Sequence, residues 1–273
     1  MIDRFTPPER FFPYLTWNDI ADMPDKANVV LIQPMGAIEQ HGPHLPLVVD
    51  AAISNGVLGK ALQRLDRSIP AYSLPLLYYG KSNEHYSFPG TIALSAQTLI
   101  AVLEEIAESI YRAGFRKLAL MNSHGGQPQV LEIVARDIHQ KYPDFMVFPL
   151  FTWRAPHITK DLVTAKEWEF GIHAGDAETS LMLALLGEYV QMDKAIAEYP
   201  QGLPTNSLLS MEGANPFAWV TRDLTRSGVL GDPTTATKEK GELILESLAD
   251  GWAQLITDIY TFQQPQAWQD TSP

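Results

Sequence analysis

The chain has 273 residues, 45% hydrophobic and 19% charged, with a net charge of −12. That length fills one large domain with a full core, and the composition is that of a globular protein. The acidic balance works against a nucleic-acid or anionic-membrane partner, which needs basic surface, and with no Cys any metal must be held by nitrogen and oxygen ligands. Residues 1–26 are Pro-rich with scattered aromatics (Phe5, Phe11, Phe12, Tyr14, Trp17) and read as a surface segment with a short helix near 17–23. The start of the chain lacks the basic-then-apolar pattern of a signal peptide, and no run reaches the length of a membrane span, so a cytoplasmic location is expected.

The apolar run at 28–33 predicts a buried strand. It enters a Gly/Pro-broken loop, Gly36-Ala37-Ile38-Glu39-Gln40-His41-Gly42-Pro43-His44-Leu45-Pro46, that leads to Asp50. Residues 51–65 carry Ile53, Val57, Leu58, Leu62 and Leu65 at helical spacing, with Asp50 placed to cap them. Residues 71–77 predict a second strand, followed by the polar and aromatic loop Asn83-Glu84-His85-Tyr86-Ser87-Phe88-Pro89-Gly90-Thr91. The stripe Leu99, Val102, Leu103, Ile106 and Ile110 predicts a helix over 95–113, stopped by Gly114. A strand at 117–121 runs into Asn122-Ser123-His124-Gly125-Gly126-Gln127. A helix over 130–142 and a strand over 145–151 complete an alternation that marks a parallel α/β sheet flanked by helices. Residues 153–170 show no clear period. His173-Ala174-Gly175-Asp176-Ala177-Glu178-Thr179-Ser180 then opens an apolar helix. Residues 188–234 read mostly as loop, 237–262 as a final amphipathic helix, and the tail after Gln263 as polar chain. No repeat or boundary interrupts the pattern, so 1–273 is read as one domain.

Parallel α/β sheets bind ligands outside the carboxyl ends of their strands, and both the Glu39/His41 loop and His124 fall there. Carboxylate and imidazole together are the set that Zn, Mn or Fe accept. Glu39 and His41, two apart, point the same way in extended chain. Each cluster alone also suits a polar turn, a loop His bonded to a carbonyl, or the first turn of a helix. Taken together, Glu39, His41, Asp50, His124 and Glu178 supply the about five or six ligands of a two-metal site whose ions lie ~3.5–4 Å apart.

These motifs resemble the creatininase (creatinine amidohydrolase) family, in family order, across most of the chain. The resemblance rests on the Gly36–Pro46 loop with Asp50, Phe88-Pro89-Gly90-Thr91, Asn122-Ser123-His124-Gly125-Gly126, the stretch from His173 to Ser180, and Gly228-Val229-Leu230-Gly231-Asp232-Pro233. It implies a layered α/β fold with a central, mostly parallel sheet and a dinuclear site holding Zn2+ or Mn2+ (Fe2+ in some members). It also implies a homo-oligomer, often a hexamer. Carried over by position, the ligands are Glu39, His41, Asp50, His124 and Glu178, with Asp50 bridging and His173 as the catalytic His beside the metals. One departure stands out. Creatininase proper has an aromatic residue and a metal-binding Glu after its motif His, where this chain has Gly125 and Gly126, so that ligand would have to come from Glu178 or water.

The activity expected is hydrolysis of a non-peptide C–N bond in a small cyclic or linear amide, a creatinine-like lactam or a formamide. A metal-bridging hydroxide would attack, His173 would act as general acid, and Glu178 would share the proton transfer. His85, Tyr86 and Trp153 are the expected substrate wall. Two further readings fit the same residues: a non-catalytic protein with a structural or vestigial metal site, and a metal-free hydrolase using Glu39 and Asp50 as a carboxylate pair.

Overall fold

Helix α1 (Trp17–Ala21), β1 (Val30–Met35), α2 (Val49–Arg64), β2 (Ala71–Ser73), α3 (Ala96–Arg112), β3 (Lys117–Asn122), α4 (Pro128–Lys141) and β4 (Met146–Phe151) follow one another along the chain. Helices α5 (Thr159–Leu162), α6 (Ala165–Phe170), α7 (Asp176–Leu186), α8 (Thr221–Leu224) and α9 (Lys238–Thr261) complete it. The computed structural model describes residues 5–203 and 207–265. The start of the Pro-rich segment and most of the polar tail after Gln263 lie outside the described residues.

Every residue of β1 and β3 is buried. Strands covered on both faces read as unbroken apolar runs, as Val30-Leu31-Ile32 and Leu118-Ala119-Leu120-Met121 do. The four strands pair in parallel, in the order β2-β1-β3-β4. β2 is shorter than the sequence predicts because Pro75 cannot donate to a ladder; pairing returns only as a bridge between Met35 and Leu77.

Successive strand side chains face opposite ways, and the two sets feed two cores. Val30, Ile32, Ala119 and Met121 pack with α2, α7 and α9. Leu31, Met35, Leu118 and Leu120 pack with α3 and α4. The result is a sheet sandwiched between helices, with α7 packed against both α9 and α2. Among the described residues no helix is long and apolar enough to cross a membrane.

Two local features set up the carboxyl edge of the sheet. A Cβ at Gly36 would collide with Ala51 N and stand 2.6 Å from Ala51 Cα. Glycine there lets the end of β1 touch the first turn of α2, which carries Asp50. Residues 187–203 and 207–234 form short turns and α8 around a small apolar cluster of Met211, Leu224 and Leu230, flanked by Phe170, Ile172, Phe217 and Trp219. Thr221 of α8 hydrogen-bonds Glu84 O and His85 Nδ1, each at 2.9 Å, tying this cover to the loop after β2.

Candidate metal centre

Five pieces of chain meet at the carboxyl edge. The loop after β1 brings Glu39 and His41, and the loop after β2 brings Ser82, Glu84 and His85. The turn after β3 brings His124, the first turn of α2 Asp50, and the start of α7 His173 and Glu178. Glu39 lies at the centre. Its Oε2 accepts a hydrogen bond from Ser82 Oγ and lies 3.1 Å from His124 Nδ1. Its Oε1 lies 3.5 Å from His85 Nε2 and 3.8 Å from both His41 Nε2 and His173 Nδ1. Asp50 has Oδ1 3.7 Å from His41 Nε2 and Oδ2 3.5 Å from His124 Nδ1. Glu178 Oε2 is 3.9 Å from His41 Nε2. The rings of His41, His173 and His85 form a stack, with centroids 4.2 and 4.4 Å apart.

Ligand-type atoms gather within 4.8 Å of one another in Glu39–Asp50–His124, in His41–His173–Glu178 and in Glu39–His85–His173. The single carboxylate of Asp50 faces both of the first two groups through different oxygens.

Surrounding polar groups fix which nitrogen of each ring points inward. His41 Nδ1 donates to Glu39 O at 3.2 Å, which leaves the Nε2 lone pair facing the cluster. His173 Nε2 donates to Gln40 O at 2.7 Å, which leaves Nδ1. Gln40 Nε2 donates to Gly228 O (3.1 Å) and lies 2.8 Å from His85 Nδ1. Asn122 clamps the His124 turn from both sides, with Nδ2 donating to His124 O and Oδ1 accepting from His124 N. Gln127 Oε1 accepts from Lys81 N at 2.9 Å and its Nε2 donates to Asn122 Oδ1 at 2.8 Å, which joins the loops after β2 and β3. Ala174 adopts a left-handed φ of 53°, uncommon outside glycine, and its N–H donates to Glu178 Oε2 at 2.6 Å.

The electrostatics follow from this crowding. Burial opposes a charge on His41, but Asp50, Glu178 and Glu39 outweigh it and push its pKa up to about 9. Burial likewise opposes a charge on His124, and Glu39, Asp50 and Glu84 carry it well above the ordinary value. Asp50 is held below the carboxylate range, against burial, by His124 and His41. Glu178 goes the other way. Burial pushes it up to about 7, Asp50 and Glu39 adding to the shift while His41 and the Ala174 amide oppose it. His173 is driven well below its ordinary value by burial first and then by positive charge on His41 and His85.

The structure therefore brings together Glu39, His41, Asp50, His124, His173 and Glu178. It adds His85, which stands inside the cluster. Tyr86 points outward, 60% exposed, with its hydroxyl 3.4 Å from Ala93 O. Trp153 packs edge-on to His157 at 6.0 Å and against the α2/α7/α9 core, not among the clustered rings. Sequence reasoning passed over Gln40, Ser82 and Glu84, whose roles depend on loops meeting across the sheet edge. It also passed over Glu212, whose Oε1 lies 3.7 Å from where a Cβ of Gly125 would stand.

The donor set suits a divalent cation. Among the described residues, His41 Nε2 and Asp50 Oδ2 are buried and make no hydrogen bond. Such orphaned groups are costly unless something else satisfies them. Imidazole nitrogens and carboxylate oxygens converging from several chain segments are the donors Zn2+ and Mn2+ accept.

A buried His/carboxylate cluster at the carboxyl edge of a parallel α/β sheet, where such sheets bind ligands, is a site that could hold divalent cations. The creatinine amidohydrolase family model matches residues 13–256, so the chain belongs to the creatininase family. It is 31% identical to the creatinine amidohydrolase of Pseudomonas putida over 262 residues, covering 91% of this chain and 96% of that one. It is 32% identical to the mycofactocin precursor peptide peptidase of Mycobacterium ulcerans over 234 residues, or 81% of each. A mutant creatininase solved in a Zn–Zn form superposes with a TM-score of 0.74 at 30% identity, covering 92% of this chain and 98% of that one.

Proposed function

We propose that this chain is a metal-dependent amidohydrolase that cleaves the C–N bond of a small cyclic or linear amide. The observation that carries the reading is Asp50, one buried carboxylate facing two ligand groups, with its Oδ2 and the neighbouring His41 Nε2 left without hydrogen bonds. Glu39, Asp50 and His124 would hold one ion, and His41, Asp50 and Glu178 the other. Bound Zn2+ or Mn2+ supplies Lewis acidity and brings the pKa of coordinated water down from about 15.7 towards ~7.

The chain's own residues do the rest. Glu178, with Oε2 held by the Ala174 amide and a pKa near neutrality, takes the proton released as water attacks the amide carbon. His173 presents Nδ1 to the same space while Nε2–H stays on Gln40 O. Neutral at rest because its pKa is held well below the ordinary value, it takes at Nδ1 the proton that Glu178 received and passes it to the departing nitrogen. The stacked rings and the cover carrying Thr221 exclude bulk water around these transfers. A homo-oligomer, as in a hexameric creatininase, belongs to the same reading and is checked by light scattering.

The test is metal content per chain, measured on protein purified without chelator, together with turnover of creatinine, formamides, other lactams and short peptides. About two ions per chain with chelator-sensitive amide hydrolysis is the expected result. A chain that takes up no Zn2+ or Mn2+ overturns the reading. Cleavage confined to peptides would keep the metal chemistry and move the substrate class.

A further inference from the structure

A side chain at Gly126 would stand behind the His124 ring, and that space is filled. A Cβ at position 126 would overlap Glu84 Oε1 and stand 2.5 Å from His124 Nε2. The carboxylate there arrives from the loop after β2. Glu84 is buried, at 8% exposure. Its Oε1 lies 3.3 Å from His124 Nε2, and its Oε2 accepts from Lys81 Nζ at 2.9 Å. Its own carbonyl is held by Thr221 Oγ1. His124 Nε2 also lies 2.9 Å from Lys81 O. The rear edge of the ring therefore faces a carbonyl and a carboxylate, and its front nitrogen, Nδ1, faces Glu39 and Asp50.

We infer that Glu84 is the positioning residue for His124, and that Gly126 is required because it clears the volume Glu84 fills. With its proton on Nε2, the ring must present the Nδ1 lone pair to the cluster. A carboxylate behind an imidazole makes it a stronger ligand, and loss of such a partner typically weakens metal binding by ~10–100-fold. Lys81 O alone would fix the tautomer. Glu84 adds the negative charge, and Lys81 Nζ anchors that carboxylate. Glu84 and Gly126 thus act as a pair, so the glycine leaves no gap in the site.

This inference rests on the metal-centre reading above, and its test separates the two. Zn2+ affinity is measured by chelator competition for the wild-type chain and for Glu84→Ala, Glu84→Gln and Gly126→Ala. The visible spectrum of each Co2+-loaded protein and the Tm of each metal-free protein are recorded alongside. Glu84→Ala is expected to bind Zn2+ about 10–100-fold more weakly with a shifted Co2+ spectrum. Glu84→Gln, which keeps the shape and one acceptor, should recover part of that loss. Gly126→Ala, whose Cβ would meet His124 Nε2 as well as Glu84 Oε1, should cost at least as much as Glu84→Ala. Wild-type affinity in Glu84→Ala would overturn the positioning role while leaving the metal centre standing. No Zn2+ binding by the wild-type chain would overturn both.

Discussion

The two faces of the sheet are built differently. On one face, α3 is two-sided: Leu99, Leu103, Ala107 and Ile110 are buried, and the remainder of the helix is partly or fully open to solvent. On the other, α2 is buried without a break from Val49 to Gly59, because α7 and α9 close over it. α3 and α4 contribute a core and none of the clustered residues. The covered face contributes Asp50 from the first turn of α2 and Glu178 from the first turn of α7. A helix fixed on all sides cannot tilt, and its first turn is where backbone N–H groups favour carboxylates. Rigid support of this kind is what a converging ligand set needs.

Substitutions can break that contrast, and the largest effect is expected at Asp50. Asp50→Ala removes the one carboxylate shared by both ligand groups. We expect loss of bound metal and of all amide hydrolysis, read by elemental analysis and assay. Full metal content in that variant would sink the ligand assignment.

Next comes His173→Ala, on the same face but with a different signature. Metal should stay bound while turnover drops by about 10²–10⁴-fold, the usual worth of a positioned general acid. Parallel loss of metal would make His173 a ligand, consistent with its place in two of the three clusters.

Leu103→Ala on the opposite face sharpens the comparison. It is 1% exposed, so truncation should cost about 2–5 kcal/mol of stability, seen in urea unfolding. Metal content and turnover per folded molecule should not change. A change in either would mean that the silent face is coupled to the site.

Much of this arrangement is legible in the sequence, for identifiable reasons. The strand–helix alternation is written in apolar period, which sets burial directly. It fails at β2, where Pro75 interrupts an otherwise strand-like run. The site was legible only as separate clusters, because nothing in the spacing says that segments around 40, 85, 124 and 178 meet. Asp50 illustrates the limit. The sequence suggests a cap, yet Val48 occupies that position without a side-chain cap bond, and Asp50 is the second residue of the helix, within its first turn. His85 read as a wall residue but faces Glu39 because Gln40 and Thr221 turn its Nδ1 the other way. Glu84 was invisible for a further reason: its role is defined by the absence of a side chain at Gly126.

The smallest effect expected is a pH dependence on the covered face. His44 is fully buried, and its Nε2 meets Thr179 Oγ1 of α7 at 2.9 Å. Burial first, and then the positive charge of His41, lower its pKa to about 4. The unfolded chain binds this proton near pH 6.5 and the folded chain only near 4. Stability is therefore intact above 6.5 and is lost as pH falls through that window, because the unfolded state holds more protons there. Between pH 7 and 4.5 the loss from this one group is roughly 2 kcal/mol. His44→Gln keeps a partner for Thr179 and does not titrate. In metal-free protein, where ligand protonation is common to both chains, urea unfolding should show a drop between the two pH values smaller by about that amount. Equal drops would mean that His44 gains a proton without strain, and that the packing of α7 over the loop yields to admit it.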